Sequence, residues 1–220
     1  MRFSLLSLSL LSLLVLTQLM FVAHSRLYDP QYPVEILSAD TGIHVNGQWY
    51  TRTFFSHLES IEAVITLKVT DPDLTHVYLT FTVMDSEQHP TLFKLLLYAT
   101  GGTGIQEVTV HIGTIPSYAS LGDAVLYSNA LSGLPAQGGK PLCPQNRRDF
   151  MVWWSLADVN HDYKVSFSDI VTVCASYGRV ASDPLWNARC DIAVPYRAID
   201  IFDILRVMDD YSDQWNPQPG

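Results

Sequence analysis

A run of twelve residues beginning at Asp158 places oxygen-bearing groups at the spacing of a calcium-binding loop. Ca²⁺ takes about six to eight oxygen ligands, which such a loop supplies from side chains at positions 1, 3, 5, 9 and 12 and from the carbonyl of position 7. The candidate ligands in this chain are Asp158, Asn160, Asp162, Lys164 through its carbonyl, Ser166 through a water, and Asp169. The pattern therefore predicts a calcium site.

Two positions depart from the usual form of such a loop. Position 6 normally holds a glycine that adopts a positive φ, and Tyr163 stands there instead, at a cost of about 1–2 kcal/mol. Position 12 is Asp169 where glutamate is usual, so a shorter side chain must reach the ion. At position 4, we expect His161 to face solvent and not to act as a ligand.

A second copy of the pattern follows about thirty residues later. Equivalent pairs in the two copies are Trp153 and Trp186, Asp158 and Asp191, Asp169 and Asp203, Val173 and Val207, and Tyr177 and Tyr211. Such a tandem predicts two units that share one core. The second loop is one residue longer, and Ala193 and Pro195 offer no side-chain oxygen. We therefore expect its candidate residues Asp191, Arg197 and Asp203 to hold calcium weakly or not at all.

From Trp153 onward, the paired loops and the string Asp200-Ile201-Phe202-Asp203-Ile204 resemble a dockerin. The resemblance implies a small α-helical, EF-hand-like module of the dockerin type I kind over residues 153–213, followed by a tail at 214–220. It also implies bound Ca²⁺ and attachment to a cohesin-like or other surface protein. Loop positions 10 and 11, where dockerins contact cohesins, hold Phe167-Ser168 and Ile201-Phe202.

The amino terminus has the pattern of an export signal. Arg2 precedes an apolar, leucine-rich and serine-rich run, and Ala23-His24-Ser25 offers small residues for cleavage before Arg26. A retained membrane anchor is the alternative, because the run is almost long enough to span a bilayer. Cleavage of residues 1–25 is favoured, which predicts a secreted or cell-surface protein.

Between the leader and the repeats, the hydrophobic pattern has the period of β-strands. Apolar and polar residues alternate over 63–69, 76–83 and 107–112, and Pro and Gly separate the segments. The pattern predicts an antiparallel sandwich over residues 26–152. The layout resembles the immunoglobulin-like sandwich of archaeal surface and extracellular proteins. The predicted fold class is thus two-domain: an all-β sandwich followed by the small α-helical module.

Charge and the search for catalytic motifs exclude several function classes. The formal net charge of −9 argues against nucleic-acid binding, which needs a basic face. The sequence contains no nucleophile elbow, zinc helix or phosphate loop, so we expect a non-enzymatic protein. For Cys143, Cys174 and Cys190, one disulfide between two of them and buried thiols are equally open.

Together these features predict a secreted, calcium-binding surface or assembly protein. The alternative is a carbohydrate-active accessory protein that binds polysaccharide, for which Trp49-Tyr50 and Tyr118 are candidate platforms, although aromatic residues in a sandwich more often belong to the core. Residues 26–32 offer a route to self-assembly by adding a strand to a neighbouring sheet. A loose terminus is favoured for that segment.

Overall fold

The computed structural model describes residues 32–214. The predicted leader at 1–25, the segment 26–31 and the tail from 215 onward lie outside the described residues. Within the described chain, residues 34–214 belong to one compact unit.

Nine strands in the described chain form two sheets. They are β1 (Val34–Val45), β2 (Gln48–Thr51), β3 (Phe54–Ser56), β4 (Ser60–Val69), β5 (His76–Met84), β6 (Pro90–Ala99), β7 (Gly104–Thr114), β8 (Gly122–Leu131) and β9 (Asn146–Trp153). One sheet has the order β2-β1-β4-β7, and the other has the order β3-β9-β8-β5-β6. All pairings are antiparallel except that of β3 with β9, which is parallel.

The alternating strands bury one face each, as their period predicts. Ile65 and Leu67 of β4 and Leu79 and Phe81 of β5 are fully buried in one core that both sheets share. Each such side chain contributes about 1.5–3 kcal/mol through burial. The β-sandwich part of the prediction is therefore confirmed.

A tight turn between β1 and β2 orients the second strand. Asn46 and Gly47 both have positive φ, 52° and 81°, which is the geometry of a two-residue hairpin turn whose twist matches the strands. The pairing places Trp49 opposite His44 and Tyr50 opposite Ile43. This short hairpin strand carries aromatic side chains to the end of the sandwich that receives the second loop.

Two helices follow the sandwich in the described chain. They are α1 (Phe167–Ala175) and α2 (Ile201–Asp209), and each begins with a capping box in which the first-turn aspartate accepts from the cap residue's backbone. Such caps satisfy backbone donors that a helix start leaves unpaired. Val173 of α1 and Val207 of α2 belong to a small second core.

The predicted fold class is nevertheless wrong in its second part, because no α-helical EF-hand-like module forms in the described residues. A helix–loop–helix unit needs a helix on both sides of its loop. Strand β9 leads into the first loop, and only a short 3-10 turn at Ala188–Cys190 precedes the second. The protein is predominantly β, with two nine-residue helices among turns and bends after Trp153.

The question left open for the cysteines has a definite outcome. Cys143, Cys174 and Cys190 are all free thiols, and only Cys174 is exposed. Separately, neither helix in residues 32–214 is long and apolar enough to cross a bilayer.

Candidate functional site

Asp158, the first residue of the first loop, is fully buried and tied to the end of β9. Its Oδ2 accepts hydrogen bonds from the indole Nε1 of Trp153 at 3.0 Å, from Nε1 of Trp154 at 2.7 Å and from the backbone of Tyr163 at 2.9 Å. Its Oδ1 accepts from the backbone of Asp162 at 3.0 Å. Charge-assisted bonds of this kind hold a buried carboxylate in one orientation.

Three of the predicted ligand carboxylates come together. Asp158, Asp162 and Asp169 each place one oxygen within 4.8 Å of the others, and Asp158 and Asp169 are buried. Asn160 joins this group, because its Nδ2 donates to Asp162 Oδ2 at 3.3 Å and its backbone donates to Asp169 Oδ1 at 3.1 Å. Like charges held this close repel one another unless a proton or a cation is shared between them.

Ser166 and Lys164 lie in the same loop but contribute differently. Ser166 is the cap of α1, and its hydroxyl donates to Asp169 Oδ2 at 3.3 Å. The backbone N–H of Lys164 donates to Asp162 Oδ1 at 3.2 Å. The six predicted residues of the first loop thus lie together, linked by hydrogen bonds that fold the loop back on itself.

The left-handed conformation predicted for position 6 is present: Tyr163 has a φ of 69°. The prediction that His161 faces solvent is wrong, because its half-buried ring stacks between Trp153, at a centroid distance of 4.4 Å, and Phe54 of β3, at 5.4 Å. Burial, followed by the nearby charge of Arg189, lowers the pKa of His161. A contact with a strand more than one hundred residues earlier could not be found from the loop sequence.

The second loop has a backbone conformation similar to that of the first loop, but it offers fewer side-chain oxygens that could bind a metal ion. Arg197, with a φ of 81°, donates its backbone N–H to Asp191 Oδ2 at 2.6 Å, as Tyr163 does to Asp158 in the first loop. Asp203 accepts from the backbones of Ile192, Ala193 and Asp200. In the described chain, the second loop offers no group of three ligand-type side chains like that of the first.

The two repeats are joined through their loops. The backbone of Val165 pairs with Ser212 and Asp213, which follow α2. The backbone of Ile199 pairs in the same way with Gly178 and Arg179, which follow α1. Each loop is therefore completed by the segment after the other repeat's helix, so the predicted shared core is confirmed.

A cleft of about 530 Å³ lies between β2 and the second loop. Its walls include the aromatic residues Trp49, Tyr50, Trp186 and Tyr196, with Asp191 at one side. The sequence offered Trp49-Tyr50 as a candidate platform but gave no sign that the second repeat faces it. Tyr118, the other aromatic candidate, is 76% exposed and is not part of this cleft.

Comparisons with known proteins do not place the chain in a family. No protein-family model and no curated protein matches it. Among solved structures, a glycosyl hydrolase family 2 member from Bacteroides cellulosilyticus is similar with a TM-score of 0.38 and 12% identity, covering 53% of this chain and 15% of that one. A Pseudomonas fluorescens alkylpurine DNA glycosylase AlkC, bound to DNA containing an abasic site analog, is similar with a TM-score of 0.35 and 16% identity. The match covers 55% of this chain and 30% of that one.

A third similar structure is the Bifidobacterium dentium β-glucuronidase complexed with coumarin-3-O-glucuronide, with a TM-score of 0.30 and 11% identity, covering 55% of this chain and 18% of that one. The chain therefore spans less than a third of each of these proteins. TM-scores below 0.5 do not establish a shared fold, so these neighbours assign no activity to the chain.

Proposed function

We propose that the loop from Asp158 to Asp169 binds one Ca²⁺ ion and that the protein is a non-catalytic, calcium-stabilised attachment protein outside the cell. The observation that carries the proposal is the meeting of three carboxylates within 4.8 Å. Neutral oxygens lie beside them, because Asn160 Oδ1 accepts from the backbone of Asp162 and the Ser166 hydroxyl bonds to Asp169. A purely oxygen donor set of this size and charge is typical of calcium, not of zinc or copper.

The proposed ion acts by removing the repulsion among the carboxylates. Folding brings Asp158, Asp162 and Asp169 together, and a bound cation converts that cost into a gain. Because the unfolded chain lacks the site, calcium at about a hundred times its dissociation constant would stabilise the fold by about 2.7 kcal/mol. Since Trp153 and Trp154 of the sandwich side bond directly to Asp158, the effect extends to the end of β9.

Attachment to another protein is supported by apolar side chains that the two helices leave in solvent. On α1 they are Phe167 and Val171, and on α2 they are Ile201, Leu205 and Met208, which lie at helical spacing. Exposed apolar groups that cluster on a folded surface commonly mark protein interaction sites. The dockerin resemblance of the loop sequences makes a cohesin-like surface protein the first partner to test.

The experiment compares thermal unfolding of the full chain in calcium and in excess chelator. The wild type should melt several degrees lower in chelator, since about 1 kcal/mol corresponds to about 2–4 °C for a chain of this size. Asp162→Ala should melt at the same temperature in both. The matched control is Asp209→Ala, an exposed aspartate of α2, which should keep the full calcium response. Equal melting of the wild type in both solutions contradicts the proposal.

The partner is tested separately, with immobilised cohesin modules and the calcium-loaded chain. Retention of the wild type and loss with Phe167→Ser support attachment through the helices. If no cohesin module retains a chain that does bind calcium, the metal site stands and the cohesin partner is rejected.

A further inference from the structure

The aromatic cleft next to the second loop contains two buried polar atoms without hydrogen-bond partners. They are Nε1 of Trp186, a donor, and Oδ1 of Asp191, an acceptor. Both residues line the cleft. Buried polar groups are normally hydrogen-bonded, so these two atoms point to a partner that enters the cleft.

The first loop shows what the same pair does when no partner is needed. There the equivalent tryptophan and aspartate, Trp153 and Asp158, bond directly through Nε1 and Oδ2 at 3.0 Å. In the second loop, Asp191 Oδ2 instead accepts from the backbone N–H of Arg197 at 2.6 Å, and the indole N–H of Trp186 has no acceptor. In the second repeat this pair thus keeps one donor and one acceptor without a partner, whereas the equivalent pair of the first repeat keeps neither.

The other walls of the cleft are aromatic and held in place. The rings of Tyr50 and Tyr196 meet edge to face at 5.2 Å, which joins β2 to the second loop. The guanidinium of Arg52 lies over Tyr196 at 5.3 Å and over Phe55 at 5.2 Å, and it is paired with Glu59. Arg52 therefore helps to hold Tyr196 in place, and its charge is already paired with Glu59.

The unpaired donor, the unpaired acceptor and the aromatic walls together favour one class of ligand. A quaternary ammonium group offers no acceptor to the indole N–H of Trp186. It would also compete with the guanidinium of Arg52, which already lies over the ring of Tyr196. An anion would meet the carboxylate of Asp191, with the charges of Asp203 and Asp200 nearby, and the nearby guanidinium of Arg52 is already paired with Glu59. A hydroxyl group both donates and accepts, so it satisfies Asp191 and Trp186 together.

We propose that the cleft binds a neutral sugar unit. One hydroxyl donates to Asp191 Oδ1, and a hydroxyl accepts from Trp186 Nε1. The C–H face of the sugar ring lies against an aromatic wall, with Trp49 and Tyr50 on the β2 side. The cleft volume falls in the range of about 300–1,000 Å³ typical of small-molecule sites. This site is separate from the proposed calcium loop, and it adds recognition of a glycan to the proposed function.

The test begins with the full, calcium-loaded chain on an array of neutral gluco-, manno-, galacto- and xylo-oligosaccharides. The best-retained oligosaccharide is then titrated by calorimetry against variants. Trp186→Phe keeps an aromatic ring, although a smaller one, and removes the N–H donor. Trp49→Ala removes the opposite wall and leaves the second loop unchanged in sequence. Tyr118→Ala is the matched control, because Tyr118 is an exposed aromatic residue outside the cleft. Near-ultraviolet circular dichroism verifies that each variant is folded.

We expect Trp186→Phe to raise the dissociation constant about tenfold. Trp49→Ala should weaken binding at least as much, and Tyr118→Ala should leave it unchanged. The proposal is overturned if no neutral oligosaccharide is retained, if tetramethylammonium displaces the sugar, or if a folded Trp49→Ala variant binds as the wild type does. Because Asp162→Ala removes the calcium response alone, failure of the metal site and failure of the sugar site are distinguishable.

Discussion

The indole N–H of Trp153, the last residue of β9, donates to the carboxylate of Asp158, the first residue of the proposed calcium loop, at 3.0 Å. Both residues are buried. This bond fixes the loop to the sheet, and it explains why the loop needs no helix before it. Strand β9 does the positioning that an entering helix does in a helix–loop–helix unit.

Removing that donor should loosen the loop. Trp153→Phe keeps a ring to stack on His161 but loses the bond to a charged acceptor, so we expect the free energy of unfolding to fall by about 1–3 kcal/mol. Urea unfolding in saturating calcium measures this change in the free energy of unfolding. Trp49→Phe is the control, since its N–H bonds only to the exposed Thr51 at 3.1 Å and its loss should cost less than about 1 kcal/mol.

The small second core, which the two repeats share, should be sensitive to side-chain truncation at Ile199. Ile199 is 1% exposed and Ile201, two residues later, is 48% exposed. We expect Ile199→Ala to lower the free energy of unfolding by about 2–5 kcal/mol. Ile201→Ala should change it by about 0.5 kcal/mol or less. Similar losses from both substitutions would show that the second core is not packed as described.

The backbone of Tyr163 should favour glycine over any residue with a Cβ. Its φ of 69° is left-handed, so Tyr163→Gly should be more stable than Tyr163→Ala by about 1 kcal/mol. Comparing these two variants cancels the loss of the tyrosine ring, which lies 5.1 Å from that of Trp153. The alanine variant matching or exceeding the glycine variant in chemical unfolding would contradict a positive φ in solution.

Asp191 should make stability depend on pH. Burial raises its pKa from 3.8 to about 6. Between these values the native protein holds more protons than the unfolded chain, so this group makes the free energy of unfolding fall as the pH rises from about 4 to about 6. In Asp191→Asn that contribution is absent. The stability difference between the variant and the wild type should therefore shift in the variant's favour over this pH range, as measured by urea unfolding in chelator.

The sequence predicted those parts of the molecule that depend on local patterns. Alternation in β4, β5 and β7 identified the sandwich, and the spacing of Asp158, Asn160 and Asp162 identified residues that do lie together. The helix starts at Ser166 and Asp200 were not predicted, although they depend on local contacts too, because each cap bonds within its own first turn.

The remaining features depend on contacts between distant segments. The parallel pairing of β3 with β9 brings Phe54 onto His161, which the loop sequence placed in solvent. The cleft needs β2 and the second loop at once. The predicted α-helical module is wrong because the described chain after Trp153 has only two nine-residue helices, and β9 and a 3-10 turn precede the two loops.

The most direct test of the central claim is calorimetric titration of the full, metal-free chain with calcium, which counts the ions bound per chain. We expect one strong site in the wild type and in Asp209→Asn, and clearly weaker binding in Asp162→Asn, which carries the same change of charge within the carboxylate group. No binding heat in the wild type, or an equally strong site in Asp162→Asn, would contradict the assignment of calcium to the loop from Asp158 to Asp169.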